Sequence, residues 1–187
     1  FLNLFSILII AIGLGMDALS VAIGIGATAG KLSPGPVLRL SLSFGLFQFF
    51  MPLIGWTAGR TVTDHIARYD HWVAFLLLAF VGGKMIWDSF REKDEKVHVN
   101  DTTKGLTLLI LSVATSIDAL AVGLSFAFLK TPILEAGVII GVVCFLMTAT
   151  GMVFGRKLGE FVGKRAELLG GVVLIGIGLK ILLEHMA

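Results

Sequence analysis

Six apolar runs, each about the length of a membrane crossing, constrain this chain more than any other feature. They lie at 3–29, 36–59, 72–90, 105–129, 133–155 and 167–186, and about 20 residues of helix suffice to cross ~30 Å of hydrocarbon. Lipid offers backbone groups no hydrogen-bond partner, so only helices or closed barrels can span it. The runs are too long and continuous for the period-2 alternation of barrel strands. The expected fold is an all-α integral membrane protein with six transmembrane helices. Composition agrees: 56% of the 187 residues are hydrophobic, only 15% are charged, and the mean hydropathy is +0.94. A soluble domain carries about 25% charged residues, so lipid rather than water must coat this chain. The formal charge of +2 does not point to nucleic acid, because the basic residues fall between the apolar runs rather than along one face. The sequence opens on Phe1, so a few residues are expected to precede it. No basic segment with a short apolar core and small-residue cleavage site marks a signal peptide, and the first run is expected to stay in the mature protein.

Basic residues set the orientation. Connections after the first, third and fifth runs hold Lys31, Arg39, Arg91, Lys93, Lys96, Lys104, Arg156, Lys157, Lys164 and Arg165, whereas the opposite face holds Arg60, Arg68 and Lys130. The first set is expected in the cytoplasm, with both termini outside. Residues 91–104, "REKDEKVHVNDTTK", mix both charge signs without apolar periodicity and read as a solvated cytoplasmic linker. It separates a first three-helix unit, 1–90, from a second, 105–187.

The two units resemble each other. "MDALSVAIG" at 16–24 matches "IDALAVGLS" at 117–125, which pairs Asp17 with Asp118 at an offset of 101. Gly45, Phe49, Met51, Gly55, Gly59 and Arg60 match Gly141, Phe145, Met147, Gly151, Gly155 and Arg156 at an offset of 96. Gly82, Lys84 and Asp88 match Gly178, Lys180 and Glu184 at that same offset. An odd number of spans per unit makes the second enter the membrane in the opposite direction. The pattern is an inverted repeat, in which a transported substrate binds near the midplane between the halves, and the first and fourth spans are expected side by side.

Asp17 and Asp118 sit near the middle of their runs. On a helix Gly13, Asp17, Ser20 and Gly24 share one face, as do Ala114, Asp118, Ala121 and Ser125. Such small residues let helices approach closely in lipid. Ionised carboxylates at the bilayer centre cost about 2.5–3.5 kcal/mol each on insertion scales, and neither run contains a lysine or arginine. One isolated aspartate could remain protonated and serve as interhelical glue; a symmetric pair points instead to a divalent cation held between two carboxylates. Gln48 offers a further oxygen at similar depth, Thr115 and Ser116 flank Asp118, and Met51 and Met147 are weaker candidates, since methionine at helical spacing is usually core filler. Pro52 frees a backbone carbonyl on the same face as Gln48, while Cys144, Met147 and Thr148 run together along the fifth run. Cys144, the only cysteine, lacks the spacing of a zinc site and is expected to be a packing residue. Lys84 with Asp88, and Lys180 with Glu184, read as anchors near span ends.

Oxygen donors suit Mn²⁺, Mg²⁺ or Ca²⁺, and the lack of a Cys/His cluster argues against Zn²⁺ or Cu⁺. No GxxxxGK[ST] loop is present, so transport must draw on a gradient. Because metal binding displaces protons from its ligands, exchange of the ion for protons follows. Two rivals are weaker. An intramembrane aspartyl protease also pairs aspartates on two spans, but "GLGMD" departs by one residue from GxGD and no PAL triplet occurs. An exporter of amino acids would want a cation or helix N-terminus facing the substrate carboxylate, not two aspartates.

"GMDALSVAIGIG", "PLIGWTAGR", "HWVAFLLLAFVGGKMI", "ATSIDALAVGLSFAFL" and "KRAELLGGVVLIGIGLKIL" closely resemble the MntP family of bacterial manganese efflux pumps, in order and across essentially the whole chain. The resemblance implies an inner-membrane exporter and not an enzyme, with Mn²⁺ as cargo and no cofactor. It also implies two three-helix halves, with the family's essential acidic positions at Asp17 and Asp118.

The charge asymmetry makes a direct prediction. A C-terminal green fluorescent protein fusion should be dark and a C-terminal alkaline phosphatase fusion active in cells. Bright fluorescence would invert the topology.

Overall fold

A computed structural model describes residues 4–28, 33–66, 103–129 and 131–186, with scattered helical positions between Trp72 and Phe90. The described residues form four long helices and no strand: α1 (Leu4–Thr28), α2 (Pro34–Ile66), α3 (Gly105–Phe128) and α4 (Ile133–Met186). Each contains a stretch long and apolar enough to cross a membrane, at Leu4–Ala27, Pro34–Thr61, Gly105–Phe128 and Ile133–Gly155. The protein is thus a multi-pass helical membrane protein.

Local chemistry sets the helix ends. Ser33 precedes Pro34, pairing a good N-cap residue with a proline at the first helical position, where its missing N–H costs nothing. Gly105 opens α3 with φ of +60°, a conformation in which a side chain would be strained. The link from α3 to α4 is tight: Thr131 N–H donates to the Phe126 carbonyl at 3.1 Å and Ala136 N–H to the Pro132 carbonyl at 3.2 Å.

The expectation of six separate spans is corrected in one place. The fifth and sixth runs belong to one continuous helix, α4, where a break was expected between 155 and 167. Residues 156–166 contain no proline, and their two lysines and two arginines, with Leu158, Glu160 and Ala166, keep a helix going across Gly159 and Gly163 once its neighbours are helical. Most of the third run and the linker at 91–102 lie outside the described residues.

Glycine determines how the helices meet. At the crossing of α2 and α4, a methyl group built on Gly45 would lie 3.0 Å from the Gly141 carbonyl oxygen, and one on Gly141 would lie 2.9 Å from that of Gly45. Further contacts, of Gly137 with Phe49 and Leu53, show that these helices run antiparallel. Along α1, Gly15 faces Met147, Gly151 faces Leu19 and Ala22, and Gly155 faces Ile23 and Ala27, so α1 and α4 run parallel. Gly123 lies against Pro52, Gly55 against Leu120 and Leu124, and Gly59 against Leu124 and Ala127, so α2 and α3 run parallel too. The expected side-by-side placement of the first and fourth spans is replaced by this pairing of α1 with α4 and α3 with α2. The reason is where the glycines point. Helices α1 and α3 still share one core cluster, through Ile10 and Leu14 on one side and Ala119 and Val122 on the other.

The outer faces are apolar stripes four residues apart: Leu38, Leu42, Leu46, Phe50 and Ile54 on α2, and Leu134, Val138, Val142 and Leu146 on α4, all about half exposed. In water this would be a liability; in lipid it is the solvated surface.

These contacts predict different costs for the same substitution. Gly141→Ala should lower thermal stability in detergent by about 1–3 kcal/mol, as overpacking does. Gly83→Ala, where an added methyl meets nothing within 4 Å, should be neutral or mildly stabilising through helix propensity.

Candidate functional site

Each crossing glycine is followed three residues later by a buried polar side chain, Gln48 after Gly45 and Cys144 after Gly141. Three residues advance a helix by about 4.5 Å, so on these antiparallel helices the two side chains lie to either side of the crossing, both buried. Gln48 is 1% exposed. Its Nε2 donates to the Leu14 carbonyl of α1 at 3.2 Å, which ties α2 to α1 within a turn of Asp17. Its Oε1 is buried without a hydrogen-bond partner. The Gln48 main-chain carbonyl also loses its helical donor, because the residue four positions on is Pro52. One residue therefore presents an unpartnered side-chain oxygen and a main-chain carbonyl without its i+4 helical donor.

On α4 the Cys144 sulfur lies 3.9 Å from the Thr148 hydroxyl, which in turn bonds the Cys144 carbonyl at 2.8 Å. Met147 passes its sulfur over Gly15, where an added methyl would meet it at 2.5 Å. Asp17, half-buried on α1, thus lies within a turn of Leu14, whose carbonyl takes the Gln48 amide, and of Gly15, which Met147 covers. Its surroundings contain no lysine or arginine from its own helix.

Asp118 is 4% exposed on α3, next to Ala119, which packs in the same core cluster as Leu14 and Met51. Asp118 therefore lies beside the core that α1 and α3 share. Thr115 and Ser116 turn their hydroxyls back onto their own helix, Thr115 to the Leu111 and Ser112 carbonyls at 3.0 and 3.2 Å, and Ser116 to the Ser112 and Val113 carbonyls at 2.7 and 3.1 Å. Each keeps a lone pair but has spent its proton locally. Met51 is a partly buried member of the core. No cluster of three His, Cys, Asp or Glu occurs among the described residues, so any cation held here would need amide, hydroxyl or thioether donors beside its carboxylates.

Cys144 packs as expected, in a core cluster with Ala18, Ala22, Leu40, Phe44 and Met152. Sequence reasoning undervalued Thr148, a fully buried hydroxyl that is the counterpart of Pro52 at the offset of 96.

Apolar helices with buried carboxylates and unused acceptors at their core define a membrane transporter. A family model described as "Putative manganese efflux pump" matches residues 31–182. The chain is 51% identical over 186 residues to a protein of Nitratidesulfovibrio vulgaris named "Putative manganese efflux pump MntP", covering 98% of this chain and 92% of that one. It is 51% identical to the protein of that name from Syntrophotalea carbinolica, with 94% of each covered, and 50% identical to that of Citrifermentans bemidjiense, with 96% of each covered. No solved structure matches. The chain belongs to the MntP family of manganese efflux pumps. It is a transporter rather than an enzyme, and Mn²⁺ is its substrate rather than a cofactor.

An unsatisfied buried acceptor costs stability, so removing it should cost little. Gln48→Leu should stay within about 1 kcal/mol of the parent in thermal unfolding, because interhelical hydrogen bonds in membranes average only ~0.6 kcal/mol, while Mn²⁺ export in vesicles falls. A large stability loss would make Gln48 a structural tie instead.

Proposed function

We propose that the protein carries Mn²⁺ out of the cytoplasm across the bacterial inner membrane in exchange for protons, with Asp17 and Asp118 as the charged ligands and Gln48 as a neutral one. The observation that carries this reading is a half-buried and a buried carboxylate, Asp17 and Asp118, on two helices that share a core cluster and contain no lysine or arginine. A carboxylate in a low-dielectric core must be neutralised by a cation or a proton. Two of them can alternate between one Mn²⁺ and bound protons, and the protons displaced by the metal are the coupled ions. Met147, Met51, Thr115 and Ser116 lie nearby as secondary donors.

The transport cycle follows from the repeat. We read residues 1–90 and 105–187 as inverted halves joined by the cytoplasmic linker 91–104, with the N-terminus outside; a C-terminus on that same side requires the chain to turn back at 156–166, where α4 here runs on without a break. The packing supports this reading. The contacts of Gly55 with Leu120 and Leu124 have their counterpart in those of Gly151 with Leu19 and Ile23's neighbour Ala22, and Gly45 and Gly141 meet as each other's equivalents. From 41 to 55 and from 137 to 151 the sequence of buried, half-buried and exposed positions is the same residue by residue. Helix α1 is parallel to α4, α3 to α2, and α2 antiparallel to α4, so α1 and α3 run in opposite directions. Rocking of one half against the other about the Gly45–Gly141 crossing would open the carboxylates to each side in turn.

Asp17→Asn and Asp118→Asn should each abolish Mn²⁺ export while the protein still reaches the membrane, because the amide keeps size and oxygen but loses the compensating charge. Cellular manganese and growth under manganese load, in cells lacking their own exporter, measure this. Normal protection by either well-expressed variant overturns the assignment.

A further inference from the structure

We infer that the hydrogen bond between Ser43 and Ser112 is the latch of a gate between α2 and α3, through which Mn²⁺ enters from the cytoplasm. The inference rests on the inverted halves and the orientation proposed above. The two hydroxyls meet at 2.7 Å across the seam between the helices. Ser112 also donates to the Leu108 carbonyl at 2.8 Å, so its proton is committed and Ser43 is the donor between them. A helical hydroxyl ordinarily bonds a carbonyl of its own helix, as Thr57 and Thr61 do further along α2. Ser43 instead ties one half to the other.

The bond sits at the looser end of its seam. At the far end Gly55, Gly59 and Gly123 bring the backbones of α2 and α3 against each other; at the near end side chains bridge them. Ser43 precedes Gln48 by about 7.5 Å of helix and Ser112 precedes Asp118 by about 9 Å, so the bond lies just on the cytoplasmic side of the proposed ligands. The seam between α1 and α4 is the counterpart, closed tightly at Gly151 and Gly155, and its looser end is the outer one. There Ser43 and Ser112 correspond to Ile139 and Ala11, at offsets of 96 and 101. Ala11 is fully buried in a core cluster and Ile139 packs against that cluster. The two seams thus close with different chemistry. Water entering a parted α2–α3 seam takes over the hydrogen bond that Ser43 and Ser112 share, whereas Ile139 and Ala11 offer it nothing. The cytoplasmic seam therefore opens more readily, which holds the empty carrier ready to load from the side that an exporter empties.

A disulfide across the seam tests the latch. In a Cys144→Ala background, which removes the only native cysteine, Ser43→Cys with Ser112→Cys should crosslink under mild oxidation, because side chains this close fit disulfide geometry. Mn²⁺ transport in reconstituted vesicles should then fall about tenfold or more and return on reduction, while each single cysteine variant is indifferent to oxidant. The same pair with Cys144 retained repeats the test should alanine disturb folding. Ser43→Ile with Ser112→Ala, which copies the outer seam, should slow Mn²⁺ uptake into everted vesicles severalfold. A pair that does not crosslink, a crosslinked protein that transports at the parent rate, or unchanged uptake by the copied seam overturns the latch; if Asp17→Asn still abolishes transport, the carboxylate site stands without it. Impermeant maleimide should label Ser43→Cys from the cytoplasmic face. Labelling from the outer face alone overturns the orientation and the gate together.

Discussion

Where α2 crosses α4, two glycines put their backbones against one another, and the rest of the bundle is organised around that contact. Lipid tails are as apolar as leucine, so helices in a membrane gain nothing by hiding leucine from them; they associate through close van der Waals fit and backbone approach. At Gly45 and Gly141 an added methyl would stand about 3 Å from the opposing carbonyl oxygen, closer than a side chain tolerates. The same device recurs where Gly55 and Gly123 hold α3 on α2, and where Gly151 and Gly155 hold α1 on α4.

This closeness has a chemical consequence. Gln48 and Cys144 each follow a crossing glycine by three residues, and both are buried where the helices pack closely. A fold built only for stability would fill such a place with leucine or alanine. Gln48 instead keeps one oxygen without a partner and a main-chain carbonyl that Pro52 deprives of its helical donor. Both are costs to folding. Polar groups tolerated at such cost inside a membrane are the ones that meet a substrate, and here the substrate is a divalent cation that needs oxygen.

Much of this was legible beforehand, for identifiable reasons. Long apolar runs can only be helices in lipid, so helix type and membrane residence followed from hydropathy. Asp17 and Asp118 stood out because a carboxylate in an uncharged run is expensive, and their matching surroundings made them a pair. Cys144 read as a packing residue and packs as one, in a core cluster with Leu40, Phe44 and Met152. The continuity of α4 was also hidden: the basic residues at 156–165 look like a connection, but lysine and arginine are good helix formers, and no proline stops the chain.

The amino-acid sequence by itself thus determined an all-helical membrane chain, the depth of its two aspartates, the internal match between its halves and its likeness to manganese exporters. Which helix lies on which was decided only in three dimensions. On a soluble helix the apolar stripe marks the buried face, but here both the lipid face and the protein face are apolar, as the exposed stripe from Leu38 to Ile54 shows. Hydropathy cannot choose between them. The choice was made by where small residues allow backbones to touch, which paired α1 with α4 and α3 with α2, and brought the Gln48 amide onto the Leu14 carbonyl within a turn of Asp17.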